Sequence, residues 1–136
     1  MYLEKAGGAG TAVRVFKTRA FARFADKERL EDAVLFESIA RAERGQVDAD
    51  LGGRVIKQRV ARSGQGRSGG YRTLIAYRSR ARAVFLFGFA KNDLGNIDRD
   101  ELKELRKAAA LMLGWKDDEL ATLVASGTWM EVRRDG

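Results

Sequence analysis

Residues 54 to 90 constrain the fold more than any other part of the chain. "RVIKQRVA" (54–61) alternates apolar and polar residues, as a strand with one buried face does. "YRTLIAYRS" (71–79) is β-branched and aromatic, and "RAVFLFGFA" (82–90) is apolar on both faces, as a central strand is. Residues 79–81 are all that separates the last two segments, which predicts an antiparallel hairpin.

The flanks carry helical signals. "VRVFKT" (13–18) reads as a short strand ending at Thr18, whose hydroxyl can cap the helix "RAFARFADKE". Phe21 and Phe24 share one face of that helix. Leu30, Ala33, Val34 and Ile39 continue the pattern to about Ala42, with Gly45 as the stop. The two segments form either one bent helix or a hairpin breaking near Asp26 and Lys27. Residues 45–53 are a loop. Asp98 and Glu101 predict a capping box for a helix to about Leu113, ended by Gly114. Asp117 is placed to cap a second short helix, "DELATLVAS", closed by Gly127, and "TWMEVRR" reads as a last strand. Residues 1–12 read as a loose leader without the features of a secretory signal. The expectation is an α+β fold: a sheet of about four mostly antiparallel strands, with a helical hairpin on one face and C-terminal helices after it. Domain limits are expected at 13–113, with 114–136 as an extension.

The chain of 136 residues contains no cysteine and no histidine. That removes the usual ligands of a structural zinc and the base of a His-centred triad. Acid–base chemistry must then fall to Lys, Arg, Tyr, Asp or Glu. Cysteine-free composition suits a reducing, cytoplasmic setting, and no apolar run is long enough for a membrane span. The net charge of +7 is unevenly spread. No acidic residue lies between Asp50 and Asp93, a window holding ten cations: Arg54, Lys57, Arg59, Arg62, Arg67, Arg72, Arg78, Arg80, Arg82 and Lys91. The remainder of the chain is net acidic. A localised positive field of this kind suits a polyanion such as RNA.

Within that window, Gly64, Gly66 and Gly69 fit G-x-G-x-x-G. A dinucleotide site needs such glycines to open a helix and an acid about 20 residues on. Here Tyr71 opens a strand and no acid precedes Asp93, so the nucleotide-cofactor reading fails. Lys57 and Arg59 share a strand face, Arg62 and Arg67 lie in the glycine-rich loop, and Arg72 starts the next strand. Pairing these strands gathers like charges, which costs stability and is tolerable where an anion is awaited. Tyr71 and Tyr77 are expected to pack in the core, as are Phe85, Phe87 and Phe89, read as one strand face.

"VIKQRVARSGQGRSGGYRTLIAYRSRARAVFLFGFAKND" (55–93) resembles the core of RelE/HigB-type toxins of toxin–antitoxin systems, part of the wider RelE/ParE superfamily. The carrying pattern is K-x-R followed by G-x-G-[KR]-S-G-G-x-R, with two helices before it and "FAK" after it. The resemblance implies a compact ribonuclease that cuts messenger RNA, usually on the ribosome, with no cofactor, and a helix-turn-helix antitoxin as partner. It assigns Lys57, Arg59, Arg72 and Lys91 to catalysis; Arg54, Arg62, Arg67 and Arg78 are expected to hold RNA. The chain departs from many relatives in lacking a tyrosine after Tyr77, with Trp129 the candidate substitute for base stacking. Attack by a 2′-hydroxyl needs a proton acceptor, charge on the phosphorane and help for the 5′-oxygen. A lysine among arginines suits the first task, because like charges favour the neutral amine. Arginine suits the second. Lys57 or Lys91 is the expected base. The competing reading is a basic module that binds nucleic acid without cutting it, or a ParE-like toxin that inhibits a protein.

Overall fold

The computed structural model describes residues 13–61, 70–90 and 97–133. The architecture is α+β. Six strands form one sheet: β1 (Arg14–Thr18), β2 (Ala49–Asp50), β3 (Val55–Val60), β4 (Tyr71–Arg78), β5 (Arg82–Phe89) and β6 (Trp129–Val132). Their order is β2-β3-β4-β5-β1-β6. All neighbouring pairs are antiparallel except β1 with β5. The sheet is thus wider than the expected four strands. β6 extends it beyond β1, and the loop 45–53 contributes the two-residue edge strand β2.

Helices cover both faces. The hairpin α1 (Arg19–Glu28) and α2 (Asp32–Glu43) buries Phe21, Ala25, Leu35 and Ile39 against Val15, Ile56, Ile75 and Phe85. Helices α3 (Arg99–Gly114) and α4 (Asp117–Ala125) bury Ala109, Leu113 and Leu120 against Phe16, Val55, Val84 and Trp129. Trp129 is packed between Phe16 and Trp115 and is a core residue.

The local signals hold. Thr18 Oγ1 accepts from the Phe21 amide at 3.1 Å. Asp98 and Glu101 form the reciprocal capping box, at 2.8 and 3.1 Å. Gly45 follows α2 with φ 85°, a conformation that side chains disfavour. The break between α1 and α2 resolves as a hairpin, at Arg29 (φ 59°) rather than at Asp26–Lys27. Asp117 does not cap α4. Lys116 is the N-cap residue, and its amide donates to Glu119 at 2.7 Å.

One expectation fails for a physical reason. Phe85, Phe87 and Phe89 do not share a face. The β4–β5 register runs Leu74 with Phe87 but Ile75 with Phe85, so Leu86 is an extra residue in the ladder. A bulge resets the alternation. Phe85 points to α1 and α2, whereas Phe87 and Phe89 point to the α3 side, where Phe87 is 43% exposed. Gly88 then faces α1. A Cβ there would lie 2.2 Å from the Phe24 ring, so this position has no room for a side chain.

Candidate nucleic-acid interface

The K-x-R segment sits on β3 with its cations on the α3 side of the sheet. Val55, Lys57 and Arg59 alternate with Ile56, Gln58 and Val60, which face α2. The register sets Arg59 directly opposite Arg72, and Arg72 opposite Phe89. The next row is Lys57, Leu74, Phe87. The Arg59 amide donates to Asp48 and its carbonyl accepts from Arg41, both away from β4. Arg59 and Arg72 are therefore a non-hydrogen-bonded pair, whose Cα atoms approach to about 4.5 Å.

A buried polar network fixes this geometry from behind. Gln58 is fully buried. Its amide nitrogen donates to the carbonyls of Ser38 (2.8 Å) and Gln46 (3.2 Å), and its oxygen accepts from the Asp48 amide (2.7 Å). Asp48 accepts from the Arg59 amide at 2.6 Å, with Arg59 Nε 3.9 Å from the same oxygen. Arg41, also buried, pairs with Glu37 (3.2 Å) and Asp48 (3.6 Å) and donates to the Arg59 carbonyl. These residues attach β3 to α2 and orient the alternate side chains Lys57 and Arg59 outward. The middle residue of K-x-R was a sequence signal for this network: a glutamine at an inward strand position must find hydrogen-bond partners.

Arg72 differs from its neighbours. Its Nη1 is buried and, among the described residues, has no hydrogen-bond partner. Most buried polar nitrogens are paired, so this one is poised for an acceptor. Among the described residues, Lys57 makes no salt bridge. Beside the cations runs a groove of about 660 Å³ between the sheet and α3. Leu74, Phe87, Phe89, Ile97, Leu105 and Ala108 supply its apolar lining, and Glu101 and Glu104 of α3 also border it.

Other predicted cations lie elsewhere. Arg78 is six residues along β4 from Arg72, about 20 Å in an extended strand. Arg54 precedes β3 in a turn (φ 68°), five residues from Arg59. Arg78 faces Arg82, which faces Arg14, in a second row at the opposite end of the sheet. That row is largely structural. Arg82 donates to the Met112 carbonyl in the last turn of α3 at 2.7 Å, and burial, with Arg78 nearby, lowers its pKa. Arg14 is bonded to Glu131 at 3.1 Å, which raises its pKa. Asp117 lies 3.7 Å from Arg14 and 3.8 Å from Arg82. Arg62, Arg67, Lys91 and the glycine-rich loop fall outside the described residues. Tyr71 and Tyr77 face the helical hairpin, as expected. Tyr71 packs edge-on to Phe24 and donates to Glu28, and Tyr77 donates to Glu43.

Among the described residues no helix is long and apolar enough to cross a membrane. A family model described as "RelE toxin of RelE / RelB toxin-antitoxin system" matches residues 13–132. No curated protein matches the chain significantly.

Proposed function

The chain belongs to the RelE toxin family of toxin–antitoxin systems, and from that premise we propose that it is an endoribonuclease cutting messenger RNA on the ribosome, neutralised by a cognate helix-turn-helix antitoxin. In this reading a 2′-hydroxyl attacks the adjacent phosphorus. The new P–O2′ bond forms as the P–O5′ bond breaks, leaving a 2′,3′-cyclic phosphate and a 5′-hydroxyl. The 2′-hydroxyl proton passes to Lys57 or Lys91 in its neutral form, and the departing 5′-oxygen takes a proton from the other lysine. Arg59 and Arg72 clamp the non-bridging oxygens, which gain charge in the phosphorane. The chemistry calls for no metal. Arg54, Arg62, Arg67 and Arg78 would hold RNA further along the surface.

The observation that carries this reading is the side-by-side pair of Arg59 and Arg72, with a buried guanidinium nitrogen that has no acceptor among the described residues. Two like charges directly opposite in a sheet are unfavourable without an anion between them. The deciding experiment is single-turnover cleavage of messenger RNA on translating ribosomes by the purified chain. Wild type should yield cyclic-phosphate ends. Arg72→Ala should lose roughly 2.7–4 kcal/mol of transition-state stabilisation, as removal of an oxyanion donor does, and Lys57→Ala and Lys91→Ala should also slow cleavage. If the wild type leaves messages intact, or if all three variants cut normally, the nuclease reading gives way to a non-catalytic binding or protein-inhibiting module.

A further inference from the structure

The groove beside the cations has a composition that phosphate binding does not explain. Phe87 and Phe89 lie on its sheet side, their ring centres 6.5 Å apart. A large exposed aromatic beside a basic cluster on a strand face offers a stacking platform. Its position fits, because Phe89 is the direct cross-strand neighbour of Arg72 and Phe87 lies two residues away. Adjacent strands are about 4.8 Å apart, a separation that a single nucleotide spans between phosphate and base. The volume lies within the range of small-ligand sites, about 300–1,000 Å³.

The helix side of the groove is acidic. Glu101 and Glu104 project from the first turns of α3. A carboxylate on a surface meant for RNA repels the backbone, so its presence calls for hydrogen-bond donors on the ligand. Glu101 is held in place by the capping box: Oε1 accepts from the Asp98 amide at 3.1 Å. Its Oε2 accepts no hydrogen bond among the described residues. Among the described residues Glu104 is paired only with the exposed Lys107, at 3.4 Å. A carboxylate is acceptor-only. Among the four bases, guanine alone offers two adjacent donors, N1–H and N2–H, on its Watson–Crick edge. Adenine and cytosine each set an acceptor beside their amino group, and uracil has a single N–H between two carbonyls.

We propose that the groove between β5 and α3 is a nucleobase subsite selective for guanine, with Phe87 and Phe89 stacking the ring and Glu101, aided by Glu104, accepting from its donor edge. This rests on the reading of Arg59 and Arg72 as the phosphate clamp and adds to it a source of sequence preference. Glu101 acts in recognition and not in the reaction.

The test is binding of short 2′-O-methyl RNA oligonucleotides, which cannot be cleaved, to the full chain at low salt by fluorescence anisotropy. The oligonucleotides carry guanine, inosine, adenine, cytosine or uracil at one scanned position. Guanine should bind about tenfold or more tighter than inosine, which lacks the N2 amine, because one charge-assisted hydrogen bond is lost. Glu101→Gln keeps the capping box, which accepts glutamine, and should reduce that preference below about threefold. Phe87→Ala should weaken all the oligonucleotides by about 5- to 150-fold. Phe87→Leu, which preserves the apolar contact without the π-face, should retain only part of the affinity. Arg72→Ala should weaken every RNA without changing the base ranking. If Arg72→Ala weakens binding while base identity and Phe87 substitution make no difference, the subsite is refuted and the phosphate clamp survives. If Phe87→Ala spares RNA but abolishes binding of a protein partner, the groove is a protein-docking surface and the subsite is refuted. If the wild type binds no oligonucleotide, the subsite is likewise refuted, and ribosomal cleavage still decides the proposed function independently.

Discussion

Arg72→Met should stabilise the fold while removing RNA affinity. Three contributions set the magnitude. The buried Nη1 without an acceptor carries an unmet desolvation cost of about 1–3 kcal/mol. Arg72 also lies directly across from Arg59, and like charges in that position destabilise by roughly 0.2–1 kcal/mol. Methionine keeps the length of the apolar stem beside the cross-strand neighbour Phe89, so little packing should be lost. The net expectation is a gain of about 1–4 kcal/mol. For a domain of this size 1 kcal/mol corresponds to roughly 4 °C in Tm, so Tm should rise by about 4–16 °C. The assay is thermal unfolding by circular dichroism in low-salt buffer free of phosphate, paired with RNA titration by anisotropy. Added phosphate should stabilise the wild type and narrow the gap, because an anion that binds only the folded state raises its apparent stability. A variant less stable than the wild type would refute the reasoning. It would mean that the guanidinium is already satisfied within the fold and is not held ready for a ligand.

Other outcomes follow from the same geometry. Gln58→Leu strands the Asp48 amide and the carbonyls of Ser38 and Gln46, and should cost about 2–4 kcal/mol, read as a lower urea midpoint at unchanged m; a loss under about 0.5 kcal/mol would show that the network is not what holds β3. RNA affinity should fall with salt at a log–log slope steeper than about −0.7, the value for one neutralised phosphate of a single strand, because further cations flank the clamp of Arg59 and Arg72, and a flat dependence would assign the patch another role. Burial, then the hydrogen bond to Glu43, pushes the Tyr77 phenol up to about 12. Its neutral form is favoured by the fold, so its contribution is complete below pH 10 and is lost as pH climbs from 10 through 12. Between pH 9 and pH 11.5 the wild type should therefore lose more stability than Tyr77→Phe, and equal losses would contradict the bond.

What the sequence revealed, and what it hid, divides along local and non-local physics. Thr18, Gly45 and the Asp98–Glu101 box were legible because a cap acts within one helical turn. Strands β3, β4 and β5 were legible because period two is written in adjacent residues. The parallel pairing of β1 with β5, and the addition of β6 outside β1, were not, because no local pattern names a distant partner. The alternation itself misled at Leu86, since one inserted residue reverses every later assignment along β5. Charge behaved in the same way. The ten cations from Arg54 to Lys91 form a single block in sequence, yet an extended strand separates its ends by about 3.3 Å per residue. Arg78 and Arg82 thus fall into a row at the end of the sheet where Arg82 ties α3 to β5, while Lys57, Arg59 and Arg72 meet where, among the described residues, the Arg72 Nη1 has no hydrogen-bond partner. The same bulge that defeated the count along β5 brings Phe87 and Phe89 to the cationic face. Without the bulge Leu86 would take its own turn in the alternation, and both aromatics would point toward α1, where Gly88 now makes room for Phe24. That contact cannot accommodate a side chain, so the fold and the aromatic border of the groove depend on the same irregularity.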